Sequence, residues 1–400
     1  MASRNIFSTR KSNNRRFALN AMTKRRHLKP LETAIFLILF FAFFAGLAYK
    51  MTLPLMLNTF MQTAYHLLLE TVLYIMAITV MTGAISKLFV EFGVVGLMEK
   101  LLRPLMKPLY NLPGVASLGA VMTFLSDNPA IITLSKDKSF SKFFKQYQLV
   151  SLTNFGTAFG MGLVVIAFMV GRGYGSGAMV GLVGAVIGSI ISTRIMQHST
   201  LKKFPELAAE VPTESLKEEK LIVTDEPKTG TFLRVLNSIL DGGKSGVEIG
   251  VAIIPGVLVI STLVMMVTFG AGASGQYTGG AYEGVPLLPW LADKIDFVFY
   301  WLFGFEHSEL IAFPITALGA VGAALGLVPT FDVAGLLDNN AIAVFTAMGM
   351  CWSGYLSTHT AMLDSLGYRK LIGKAIGAHT IGGLFAGICA HWLYFLVALI

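Results

Sequence analysis

The chain has 400 residues, 54% of them hydrophobic and only 14% charged, with a formal net charge of +8. A soluble domain carries roughly 25% charged residues, so this composition excludes a soluble globular protein and indicates a multi-pass membrane protein. Nine basic residues, from Arg4 to Lys29, fall in residues 1–29 without a single acid. No stacking aromatics are interleaved with them, so they exclude a nucleic-acid partner and place the N terminus in the cytoplasm at the cell (inner) membrane.

Residues 1–30 read as this basic segment, with anionic lipid headgroups as a secondary contact. Leu31–Leu47 predicts the first span, retained because no small-residue cleavage site closes it, with a connector to residue 63. Leu53–Glu70 is a mixed, amphipathic stretch and Thr71–Val90 a second span. Glu91–Tyr110 alternates apolar residues with Glu99, Lys100, Arg103 and Lys107 at helical spacing, which suits a helix lying in the interface.

The stretch "TFLSDNPAIITLSKDK", Thr123–Lys138, then interrupts the apolar pattern. Its flanks, Gly114–Leu125 and Ala130–Leu134, are each shorter than the ~20 residues a span needs. Lys136, Lys138, Lys142 and Lys145 follow and prefer the cytoplasm. A re-entrant helical hairpin with its tip at Ser126-Asp127-Asn128-Pro129 meets these constraints. Such irregular backbone is tolerated at membrane depth only where protein or water covers it.

Tyr147–Val170 and Ser176–Ile191 predict two more spans. Arg194 to about Phe232 is the most hydrophilic part of the chain, and residues 195–232 read as a cytoplasmic linker between the halves 64–194 and 233–400. Ile249–Phe269 is the next predicted span, followed by a Gly-rich external loop and an interfacial aromatic stretch, Trp290–Phe305. Glu306–Pro329, Ala341–Tyr355, a broken "LSTHTAMLDSLGYRK" and a span near Ile376–Ala398 complete the order. Cys351 and Cys389 sit in apolar runs and suggest neither a disulfide framework nor a zinc site.

The fold class expected is therefore an all-α polytopic integral membrane protein, with interfacial helices, helical hairpins and two weakly similar repeats. "SLGAVMTFL" resembles "ALGAVGAAL", "FLSDNPAIITL" resembles "YLSTHTAMLDS", and Glu70 and Glu248 each stand at the mouth of a span. A hairpin at Glu306–Pro329 would make the repeats inverted, whereas a second tip at "LSTHTA" would allow parallel ones; the inverted arrangement is preferred. Repeats with interrupted segments in matching places point to secondary transporters.

The run "LPGVASLGAVMTFLSDNPAI", a basic turn, then "SLTNFGTAFGMGLVVIAFM" resembles the Gate-domain, or nucleoside-recognition, family, and the resemblance extends from Ala64 to Ile400. That family includes concentrative nucleoside transporters, the membrane part of ferrous iron transporter B and spore maturation proteins. It also includes YjiH-like membrane proteins, whose two-half layout is similar to this one. The resemblance implies a solute-handling membrane protein. It does not transfer nucleoside-binding residues one by one, and "GxxxxGK[ST]" is absent, which argues against NTP-driven iron uptake.

Asp127 and Asn128, with Ser126, are the leading solute-binding candidates, because an acid in hydrocarbon costs roughly 2.5–3.5 kcal/mol and faces a cavity, a partner or an ion path. Free amides at the start of the helix after Pro129 would meet an anionic or polar solute group. Thr153, Asn154, Ser357, Thr358, His359 and Asn340 are further solute-binding candidates. Glu306, His307 and Glu309 are candidates for ion coupling, to a proton or sodium; no cofactor is called for and a metal role is left open. Neither a Gly-x-Ser-x-Gly elbow nor His-Glu-x-x-His is present, so no enzyme is expected. The expected function is alternating-access transport of a small polar, nucleoside-like solute across the lipid bilayer, compatible with a homo-oligomer. The alternative is a non-transporting scaffold or partner subunit similar to spore maturation proteins.

Overall fold

The structure, a computed structural model, describes residues 30–208, 230–272 and 274–399. The basic N-terminal residues and most of the polar linker lie outside them. The chain divides into two units, one ending at Met56 and the other, compact one spanning Leu57–Ile400. The first unit contributes α1 (Pro30–Met51), apolar nearly all round. Six described helices are long and apolar enough to cross a membrane, as the composition requires.

Helix α2 runs without interruption from Leu53 to Glu91, where an amphipathic stretch and a separate span were expected. No proline or glycine lies between Leu55 and Thr82 to break it. Its one irregularity is a π-helical turn at Leu67–Val72. Helix α3 (Val94–Leu105) exposes Leu97, Leu101 and Leu105 along one stripe while Arg103 pairs with Glu99, the pattern of an interfacial helix.

Two short helices follow, α4 (Ala116–Leu125) and α5 (Pro129–Lys136), packed side by side about the tip Ser126-Asp127-Asn128. Next comes an interrupted helix, α6 (Gln146–Thr157) and α7 (Gly162–Gly171), then the uninterrupted α8 (Gly175–Lys203). Helix α8 extends well past Ile191 because its Ser192, Thr193 and Gln197 are buried and hydrogen-bonded inside the protein.

The second half keeps the same order. Helix α9 runs 36 residues from Thr231 to Met266, beginning far ahead of the predicted Ile249. Pro255 does not end it, because its missing N–H falls just before a π-helical turn, Gly256–Ser261, that absorbs the irregularity. After the interfacial helices α10 (Leu287–Ala292) and α11 (Asp296–Phe303) come α12 (Ser308–Ala317) and α13 (Val321–Val333), joined by Leu318-Gly319-Ala320. Then follow an interrupted helix, α14 (Asn339–Cys351) and α15 (Tyr355–Ser365), and the long α16 (Ile372–Ala398).

The second short pair therefore lies at 308–333, not at "LSTHTA", which is unbroken helix. The break comes earlier, at Trp352–Gly354, where Gly354 adopts φ +74°, a conformation that costs a Cβ-bearing residue dearly. Helix α14 is the centre of the unit, with every residue from Asn340 to Cys351 buried. It packs against α8 and α16, while α2 packs against α9 along Gly242, Gly246 and Gly250. Small residues on that seam allow close backbone approach, and the Thr79 hydroxyl donates across it to the Gly246 carbonyl at 2.7 Å.

Candidate functional site

Interrupting a helix inside an apolar environment strands carbonyl groups that must find donors. In this fold Ser353 and Asn128 each supply one. Ser353, in the break between α14 and α15 and completely buried, donates its hydroxyl to the Gly160 carbonyl at 2.8 Å in the break between α6 and α7. The Thr157 carbonyl lies 3.4 Å from the same oxygen. The first tip reaches into this junction, where Asn128 Nδ2 donates to the Ser353 carbonyl at 2.8 Å and to Asp127 Oδ1 at 3.0 Å. A Cβ on Gly160 would overlap both Ser353 Oγ and the Asn128 amide, so the contact requires glycine there. The first tip and both breaks thus share one point.

Beside that junction opens a cavity of about 970 Å³. The first tip lines it with Ser126, Asp127 and Asn128, and the second with Gly319, Ala320 and Val321. Met161 comes from the first break, Gly354, Ser357 and Thr358 from the second, and Ser245, Glu248 and Ile249 from α9. Five of the solute-binding candidates therefore meet in one space: Ser126, Asp127, Asn128, Ser357 and Thr358.

The amides of Asn128 and Ala130 at the start of α5 are not free for an anion. The Asn128 N–H already donates to Asp127 Oδ1 at 2.7 Å, Pro129 has none, and the Ala130 N–H donates to the Asp127 carbonyl at 3.0 Å. Asp127 uses its own carboxylate to close the helix end that was expected to stay open.

Four other candidates lie elsewhere. Thr153 and Asn154 are fully buried behind the junction and do not line the cavity. Asn154 Nδ2 donates to Ser192 Oγ and to the Ala375 carbonyl, each at 2.9 Å. Ser192 in turn lies 2.8 Å from His379 Nδ1, and His379 Nε2 hydrogen-bonds the Cys351 carbonyl. A carbonyl only accepts, so in neutral His379 Nε2 carries the proton, Nδ1 accepts, and Ser192 donates to it.

His359 does not share a site with Asp127. Its ring is fully buried, 4.6 Å from that of His379 centre to centre, and its Nδ1 donates to the Tyr355 carbonyl at 2.5 Å. Asn340 is a structural anchor: it donates to the Phe303 carbonyl at 2.9 Å and accepts from His391 Nδ1 at 2.8 Å. At 1.5 Å per helical residue it stands about 20 Å along α14 from Ser353.

Glu306, His307 and Glu309 line a different pocket, of about 510 Å³, with Asp293, Asp296 and Tyr300. Among the described residues no group of three or more His, Cys, Asp and Glu is placed to hold a metal ion. Several cavity and junction residues were not among the candidates, Glu248 and Ser353 among them. Glu248 carried a signal, as an acid at the mouth of a span; Ser353 carried only the Ser-Gly pair in "CWSGY".

Fold and site together define a polytopic helical membrane protein whose two short helical pairs meet two interrupted helices around an internal cavity. Residues 68–173, from within α2 to just past α7, match the Gate family model, described as nucleoside recognition. No curated protein matches the chain. Among solved structures, the concentrative nucleoside transporter CNTnw shares the fold. A doubly substituted form in an outward-facing state matches with a TM-score of 0.50 and 15% identity, over 81% of this chain and 76% of that one. A singly substituted form in an intermediate 1 state matches with a TM-score of 0.51 and 14% identity, over 79% and 75%.

Proposed function

We propose that this protein is a secondary transporter, not an enzyme, and that it moves a small polar, nucleoside-like solute through the cavity between its two short helical pairs. The observation that carries the reading is convergence: both tips and the second break, all far apart in sequence, wall the same space. Sites at the meeting point of broken helices are the pattern of secondary transporters. The Gate domain and the CNTnw fold favour a nucleoside-like cargo, and the two CNTnw states favour alternating access. In this reading the pairs are re-entrant, the halves are inverted repeats, and the N terminus is cytoplasmic at the inner membrane. A proton or sodium ion drives the cycle.

Purified protein in liposomes is expected to take up radiolabelled adenosine or uridine under an imposed proton or sodium gradient. Asp127→Ala, expressed and inserted normally, is expected to lower the initial rate at least tenfold. An unchanged rate in that variant would remove Asp127 from the pathway.

A further inference from the structure

The side chains around the cavity are one-sided in both charge and hydrogen-bonding capacity. Asp127 and Glu248 line it, and no lysine, arginine or histidine does. Glu248 is exposed and has no ion-pair or hydrogen-bond partner among the described residues.

Most of the hydroxyls have already spent their protons on their own backbone. Ser126 donates to the Met122 carbonyl at 2.5 Å and Thr133 to that of Pro129 at 2.9 Å. Ser245 donates to the Asp241 carbonyl at 3.2 Å and Ser357 to that of Gly354 at 3.3 Å. Thr358 is the one lining hydroxyl outside this pattern. Asn128 uses its N–H groups on Ser353 and Asp127, while its Oδ1, on a side chain only 5% exposed, has no partner. What these side chains turn toward the space is carboxylate oxygen and hydroxyl lone pairs. The remaining wall is apolar, with Met122, Ile132, Leu134, Ile249 and Ile253 prominent.

We propose that the solute is an organic cation: a donor-rich positive nitrogen group, such as an ammonium, a guanidinium or a protonated heterocycle, on an apolar or aromatic body. This rests on the cavity being the solute site and narrows the small polar solute to one charge class. Ammonium and guanidinium groups donate hydrogen bonds and accept none, so they match the carboxylate and hydroxyl acceptors of these side chains. Bonds from a charged donor to a carboxylate are roughly twice as strong as neutral ones. The apolar wall takes the body, and two carboxylates repel any anion.

The test is equilibrium binding to the purified full-length protein in nanodiscs, in potassium buffer at pH 7.5. The probes are adenosine, which is neutral, and 1-methyladenosine, a near-isostere that carries a positive charge at neutral pH; agmatine and sodium chloride are added singly. The expected result is tighter binding of 1-methyladenosine than of adenosine, weakened at least tenfold by Glu248→Gln, with adenosine affected less than twofold. Asp127→Asn provides a second arm should Glu248→Gln fail to fold. Adenosine binding as tightly as its methylated cation, with both unmoved by Glu248→Gln, would overturn the charge assignment and leave the transport reading standing. A response to sodium alone would make the compensating charge an inorganic ion and overturn the organic cation. Silence from every probe would overturn both readings.

Discussion

The two short helical pairs occupy matching places in the two halves and carry opposite chemistry at their tips. The first tip, Ser126-Asp127-Asn128, is polar and is fastened through Asn128 to Ser353 and thence to Gly160. The second, Leu318-Gly319-Ala320, is apolar. Its pair is fastened instead to α9, where Ser261 Oγ donates to the Ala323 carbonyl at 2.8 Å. One pair thus belongs mechanically to the interrupted helices and the other to a long uninterrupted one. The comparison teaches that the two tips divide the wall: the first brings Asp127 and Asn128 to the cavity, while the second supplies apolar surface.

The sharpest way to break that contrast is at the junction itself. Gly160→Ala sets a methyl into Ser353 Oγ and the Asn128 amide, and is expected to cost about 3 kcal/mol, the upper range of overpacking, visible as a lowered thermal midpoint in detergent. A midpoint equal to wild type would mean that the tip and the two breaks are not locked together. Ser353→Ala removes the shared hydroxyl and leaves the Gly160 carbonyl without its donor, for an expected loss of about 2 kcal/mol by denaturant titration. Gly319→Ala is the smallest change. An added methyl there meets the Thr316 carbonyl oxygen at 3.3 Å and Ile260 Cδ1 at 3.4 Å, so under about 1 kcal/mol is expected. If the second tip proved as sensitive as the first, the asymmetry would be wrong.

How much of this was legible in the sequence depends on whether a residue signals through its neighbours or through its partners. The first tip was readable because Ser126, Asp127, Asn128 and Pro129 interrupt an apolar run locally, and because the flanks are too short to cross. Ser353 was not readable, because "CWSGY" looks like ordinary span and its importance comes from Gly160, almost two hundred positions away. Pattern alone also misplaced the second break: the hydroxyls of "LSTHTA" looked like a polar interruption, yet they stand in unbroken helix and the positive φ of Gly354 does the interrupting. His359 shows the same limit. A histidine one residue from Thr358 and two from Ser357 and Ala361 was expected to face the solute, but the 100° step of a helix turns it inward onto His379.

The π-helical turn of α9 has a consequence of a different kind. It starts at Gly256, on the cavity wall, and ends at Ser261, the residue that holds the second pair. A π turn holds one residue more than α-helical geometry calls for, so the helix leaves it about 100° out of phase with the helix that enters. That phase offset lets Gly242 and Gly246 face α2 while Ser261 faces α13. Deleting one residue from the turn would leave a regular helix of nearly the same length, yet its two ends could no longer both address their partners. The extra residue is therefore a gear tooth: its worth lies in the angle it sets, not in any contact it makes.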